Sequence, residues 1–229
     1  MSKRSLVEER ICSRDFSYLK PYFYNHPYAL RCELGIGDTD NEYMDNARER
    51  AEAIYNILFP HGADAIIFDC WLYDYCDSGE AEYLQYNEDE DIECIIEDRI
   101  LGEVEQLKFL LTCQFKYRHF TVQDLAVYDA PDDPDYGSCR RNRVVCYSDG
   151  VGFDYHNLIL RQIHGTRACD VSFVSFDNEC IFSIYDDRGC DIVFMTHDRL
   201  MEFYHELQPY FLEYDIEEME KRLWSTNGL

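Results

Sequence analysis

Two carboxylates and a guanidinium stand side by side in "IFSIYDDRGCDIVF" (181–194), where Asp186, Asp187 and Arg188 precede Gly189. If those groups converged, the carboxylates would suit a cation or proton transfer and Arg188 would clamp an anion. The flanking residues offer a simpler account. Apolar residues alternate on both sides, so the four read as a short hairpin turn. Asp186 would accept backbone N–H bonds, Gly189 would take a positive φ, and Asp187 and Arg188 would face solvent or pair locally. A structural turn at Asp186–Gly189 is therefore the preferred reading. The catalytic alternative joins Asp187 and Arg188 to Arg31 and Glu33 of "YALRCELG" (28–35), on a neighbouring strand, as an enzyme site of unknown reaction.

Other chemistry finds less support. No C-x₂-C pair occurs, and the seven histidines form neither H-x₃-H nor H-E-x-x-H. His156 and His164 share a helical face, but as surface histidines. The carboxylates of "GDTDNEYMDN" lack the glycine and the closing glutamate of a calcium loop. Cys139 alone has an electropositive setting, beside Arg140 and Arg141, and no partner histidine is placed for it. "GIGD" (35–38) is too short for a phosphate loop, and G-x-S-x-G is missing. The aromatics Tyr22, Phe23, Tyr24 and Tyr28 around Asn25-His26-Pro27 fit a segment packed over a sheet better than a pocket. The sequence assigns no catalytic residue, metal or cofactor.

Charge is more informative. The chain of 229 residues carries 46 acids against 21 bases, a formal charge of −25. Residues 61–100 hold 13 acids and one base, Arg99. Such a field repels nucleic acid and anionic membranes and favours a basic protein. The expected partner face is Asp74, Asp77, Glu80, Glu82, Glu88, Asp89, Glu90 and Asp91. The charged N-terminus has no apolar core of a signal peptide, and no apolar run approaches the ~18 residues of a membrane span. Cys32, Cys70, Cys146 and Cys169 lie in or beside apolar runs, where a reduced thiol packs as a small hydrophobe. A reduced, cytoplasmic protein is expected.

Residues 28–35 and 63–75 read as strands. Between them Thr39-Asp40-Asn41-Glu42 has the capping-box form, opening a helix that Pro60 closes. Ile92, Ile95, Ile96, Ile100, Val104, Leu107 and Leu111 fit one helical face, with "NEDED" at its positive end. "HFTVQDLAVYD" reads as a strand and 129–143 as a loop. A strand at 143–149 and a helix capped by Asp154 follow. Three short strands then form an antiparallel meander, and helices from Thr196 and Asp215 finish the chain. The expected fold is α+β: a mixed sheet with a C-terminal three-strand antiparallel meander and helices packed on it. It forms one domain over 1–229, or two lobes (about 1–128 and 143–229) joined by the loop 129–142.

"YFYNHPYALRCELG" and "DVSFVSFDNECIFSIYDDRGCDIVF" resemble the two signature segments of an uncharacterised bacterial domain-of-unknown-function family. Its members carry F-Y-N-x-x-Y-x-I/L-R-x-E-L-G and a late I-Y-D-D-R-G-x-D meander. The resemblance implies no agreed chemistry. By analogy with other small acidic families, it implies an immunity protein or nuclease inhibitor. Together with the charge, this gives the functional expectation: a non-enzymatic cytoplasmic binding protein that neutralises a basic bacterial toxin or nuclease.

Overall fold

The computed structural model describes residues 7, 9, 21–73, 82–87, 92–98, 120–125, 139–148, 154–164 and 169–224. In chain order the elements are α1 (Tyr22–Asn25), β1 (Ala29–Glu33), α2 (Asp40–Leu58), β2 (Ala65–Tyr73), β3 (Glu82–Asn87), β4 (Ile92–Asp98), β5 (Phe120–Leu125) and β6 (Cys139–Tyr147). They continue with α3 (Tyr155–Ile163), β7 (Cys169–Ser175), β8 (Cys180–Asp186), β9 (Gly189–Phe194), α4 (His197–Leu207) and α5 (Ile216–Trp224). Seven strands form one sheet in the order β1-β9-β8-β7-β2-β6-β5, and β3 and β4 form a separate two-stranded sheet.

The fold is α+β and the meander β7–β8–β9 is present, with β1 added at its outer side. Every pairing in the large sheet is antiparallel, so it is not the mixed sheet expected. β2, from the first third of the chain, lies between β6 and β7, both from its second half. Ile92–Asp98 is a strand paired with Glu82–Asn87, not the start of a helix. Ile92 and Ile96 fit both periods, whereas Ile95 fits the helical one alone, and partnership with β3 decided the outcome. The rest of that run, and residues 129–138 of the expected loop, lie outside the described residues; 139–143 belong to β6.

Local signals explain the helices that position the sheet. Thr39 Oγ1 accepts the Glu42 N–H at 3.3 Å, which is the forward bond of the capping box, while Glu42 Oε2 reaches back to the N–H of Asp38, one residue before the cap, at 3.3 Å. Asp154 and Thr196 cap α3 and α4 in the same way, through the N–H groups of Asn157 and Arg199. Ala47, Ala51, Ile54, Tyr55 and Leu58 give α2 one buried stripe.

Register separates the two faces of the sheet. Leu30, Ile192, Phe182, Phe173, Ile66 and Cys146 stand in one row across six strands, all buried. Tyr55 and Phe59 of α2's end meet Phe173 edge-on and tilted, and Phe203 of α4 stacks on Phe194 of the same face. This face is the core. One residue along, the opposite face presents Arg31, Asp191, Ser183 and Ser172 in a row across β1, β9, β8 and β7. Four polar residues side by side over buried strands are costly unless each finds a partner.

Candidate functional site

The partners are found within the row itself. Leu34 donates its N–H to Arg188 O, and Phe194 donates its own to Tyr28 O. Alternation between those points places Arg31 and Asp191 at a non-hydrogen-bonded pair, where facing side chains approach most closely. Arg31 Nε donates to Asp191 Oδ1 at 2.8 Å and Nη2 to Oδ2 at 3.1 Å. The N–H of Phe23, from α1, adds a third bond to Oδ2 at 3.0 Å. Arg31 and Asp191 are only 8% and 2% exposed. The guanidinium lies against the rings of Tyr24, Phe23 and Tyr185 at 4.6, 5.2 and 5.3 Å. Burial works against its charge, but the hydrogen bonds and charge of Asp191 outweigh that and hold its proton more tightly than usual.

A second carboxylate approaches from the C-terminal side. Asp215 Oδ2 lies 3.9 Å from Arg31 Nη1, and Oδ1 accepts the Tyr24 hydroxyl at 3.4 Å. Oδ2 is buried without a hydrogen bond. Burial raises the Asp215 carboxyl above its ordinary range, against the pull of Arg31. Arg222 of α5 donates to the carbonyls of Phe23 and His26, and its guanidinium lies over the Phe23 ring. Thus α1, α5 and the β1–β9 edge are joined through four arginine–carboxylate or arginine–carbonyl contacts. The outer edge of β1 is itself covered, since Leu212 N–H donates to Arg31 O.

Beside this cluster lies a half-open cavity of about 260 Å³. Pro21 and Tyr22 form one side; Asp170, Ser183, Tyr185 and Asp191 form the sheet side. Ser172 and Ser183 share a hydrogen bond at 3.0 Å on its floor. Asp69, 1% exposed, stands opposite Asp170 in register and adds a carboxylate to the same face. Burial pushes the Tyr185 phenol well up, so it stays a hydroxyl donor at any physiological pH.

The residues singled out from sequence fall in different places. Arg31 is in the buried pair, and Glu33 stands opposite Gly189 at the end of the same strands. Asp186 Oδ1 accepts the Arg188 N–H at 2.9 Å, and Arg188 also forms an ion pair with Asp186 in solvent. That is the local pairing of a turn. Asp187 is half-buried near Tyr43, whose phenol is raised chiefly by burial and then by Asp187. The expected positive φ is absent at Gly189 and occurs at Glu179, in the other hairpin, at φ 50°. Gly189 is required for a different reason: a Cβ there would meet Tyr185 Oη at 2.1 Å and Cys32 O at 2.6 Å. Asp74, Asp77, Glu80, Glu88, Asp89, Glu90 and Asp91 lie outside the described residues, and Glu82 opens β3.

Sequence reasoning missed Asp191, Asp215, Asp69, Asp170, Ser183 and Tyr185. One signal was available. Arg31, Asp69 and Asp191 each interrupt a run that is otherwise apolar and strand-like, and a charge so placed needs a partner. Cys32, Cys146, Cys180 and Cys190 are buried free thiols. Among the described residues no cluster of three or more His, Cys, Asp or Glu is placed to hold a metal, and no helix is long and apolar enough to cross a membrane.

These features define an α+β domain: an antiparallel seven-stranded sheet with one apolar face and one polar face built around a buried Arg–Asp pair. Residues 10–215 match the model of a family described as a domain of unknown function (DUF3885), and the chain belongs to that family. The matched span includes both segments that carried the resemblance. No curated protein and no solved structure matches the chain.

Proposed function

We propose that the protein is a non-enzymatic binding protein that neutralises a basic protein partner, as an immunity or inhibitor protein does with a toxin or nuclease. The observation that carries this reading is the charge of residues 74–98, where 11 acids occur without a single base. Residues 82–87 and 92–98 of that segment pair antiparallel in a sheet of their own. A paired strand fixes the spacing of its side chains, which favours a charge pattern over a diffuse tail. Charge complementarity then speeds encounter and selects against acidic partners. Binding is favoured over catalysis because Arg31 and Arg188, two members of the enzyme alternative with Glu33 and Asp187, are already engaged by Asp191 and Asp186.

The test is reversal of Glu88, Asp89, Glu90 and Asp91 to lysine. Immobilised wild type, exposed to native cell extract, should retain a basic protein that the quadruple variant releases at low salt. With that protein purified, stopped-flow association should slow by about one to two orders of magnitude in the variant, and wild-type rates should fall as salt rises. Equal retention and equal rates would leave the charge as a solubility feature and sink the proposal.

A further inference from the structure

We infer that Asp215 is a proton-linked latch that holds the C-terminal segment, residues 211–224, across the outer edge of β1. The backbone attachment of that segment is slight. Phe211 forms an isolated bridge with Cys32, and Leu212 N–H donates to Arg31 O at 3.1 Å. A paired strand would seal the edge with a ladder of such bonds; here side chains supply most of the hold. Met219 and Leu223 are buried, Arg222 reaches the carbonyls of Phe23 and His26, and a ring nitrogen of His197 lies 3.0 Å from Leu223 O. Asp215, 4% exposed, is the one buried acid of the segment.

Its carboxylate is poorly compensated. On the other side of the same guanidinium, Asp191 accepts hydrogen bonds at 2.8, 3.0 and 3.1 Å. Asp215 accepts one long bond, from the Tyr24 hydroxyl at 3.4 Å, and its Oδ2 stands 3.9 Å from Arg31 Nη1 without a hydrogen bond. A buried carboxylate with an unbonded oxygen carries a desolvation cost that protonation removes. Burial is the leading influence, and it raises the carboxyl above its ordinary range. Four groups on four elements face it. Arg31 of β1, the Tyr24 hydroxyl of α1 and Arg222 of α5 favour the charged form, and Asp191 of β9 opposes it. Arg31 is already paired with Asp191, so its pull on Asp215 is blunted.

Undocking returns Asp215 to water and to the ordinary carboxylate value. The docked segment therefore binds the proton more tightly than the released one. Docking has the full benefit of this group below the ordinary range and loses it as pH rises through the raised value. Acid tightens the segment on β1, and ionisation loosens it locally, while Arg222 and the buried apolar residues still hold α5. The latch lies outside residues 74–98 and does not depend on the charge of that segment.

Carboxyl ¹³C titration of the labelled full-length protein should place Asp215 above an unstructured aspartate. Hydrogen exchange of the Leu212 amide, corrected for its intrinsic rate, reads the latch. Its protection should fall about three-fold or more as pH rises through that titration, while amides at the centre of β8 keep theirs. Asp215→Asn keeps the size and removes the ionisation, so it should hold Leu212 at the acid level throughout. Tyr24→Phe removes a contact to the charged form and should move the titration upward; if Asp215→Asn fails to fold, this variant and the wild-type titration decide. An Asp215 carboxyl at or below the ordinary range would overturn the latch. So would Leu212 protection that ignores pH, or that is weaker in Asp215→Asn than in wild type above the titration, since the ionised form would then be the one that holds.

Discussion

One arginine–aspartate pair joins β1 to β9 and another sits in the turn that leads into β9, and they have opposite physical characters. Arg31–Asp191 is bidentate, enclosed by three aromatic rings and almost wholly removed from water. Arg188–Asp186 closes a hairpin, and the Arg188 side chain is 74% exposed. In sequence, Arg188 looks the more chemical of the two, because it sits in a charged cluster. The structure reverses that ranking. A cluster of charges at a turn is already solvated, whereas one charge inside an apolar strand demands a partner and organises what surrounds it. Asp191 gathers β1, β9 and α1 through three hydrogen bonds; Asp186 gathers only its own turn.

The sharpest way to break the comparison is to remove one member of the buried pair. Asp191→Ala leaves the Arg31 charge buried beside Asp215 alone and removes the acceptor for Phe23 N–H. It should destabilise by about 3–5 kcal/mol, the range for an orphaned buried charge. Replacing both, as Arg31→Met with Asp191→Leu, should recover part of that loss, since desolvation of two ions then disappears, while the Phe23 N–H and the Asp215 carboxylate stay without their partners. Guanidinium denaturation of the three proteins measures the terms. A loss below 1 kcal/mol for Asp191→Ala would mean that water reaches the pair and that the two regions differ less than their burial suggests.

Gly189 lies between the two pairs and tests the same contrast through packing. The obstacle to a side chain is the Tyr185 phenol and the backbone carbonyl of Cys32, not backbone strain. Tyr185 can swing aside; the Cys32 carbonyl moves only with β1. Gly189→Ala should therefore cost about 1–3 kcal/mol, the usual range for overpacking. Adding Tyr185→Ala to Gly189→Ala should not restore stability, because the carbonyl contact remains. Full restoration in the double variant would place the whole constraint on the ring.

How much of this was legible in the sequence follows from the same physics. The capping box of α2, the stripe Ala47–Leu58, the meander and the caps of α3 and α4 are local signals, and they appear at the residues that carry them. β4 was misread because the spacing of Ile92, Ile95 and Ile96 is that of a helix face, and only pairing with Glu82–Asn87 overrides it. The antiparallel sense of the sheet depends on β2 meeting β6 and β7, more than 60 residues away in sequence at every pair. No local pattern encodes that. The candidate site is also non-local: Arg31 and Asp191 are 160 residues apart, and each signals only that it needs a partner, not which one, until the two strands are set side by side. The Asp186–Gly189 turn was legible as a turn, while the role of its glycine was not, because the Cys32 carbonyl it accommodates comes from another strand.

The smallest expected effect lies in the exposed pair, and it carries the comparison's other half. Arg188→Ala removes the ion pair with Asp186 but leaves the backbone bond from Arg188 N–H to Asp186 Oδ1, which is what closes the turn. Its guanidinium projects into solvent, where attraction is screened and two flexible side chains lose freedom to meet. The change in stability should stay within about 0.5 kcal/mol, and it should vanish at high salt. Asp187→Ala, in the same turn without an ion pair shown to Arg188, should likewise cost only a few tenths. Denaturation at low and high salt checks both. Should either variant stay fully folded yet abolish partner binding or any turnover the protein is found to have, the turn would hold functional groups after all, and the enzyme alternative around Arg31, Glu33, Asp187 and Arg188 would regain ground. An Arg188→Ala loss approaching that of Asp191→Ala would instead show that exposure fails to separate the two pairs.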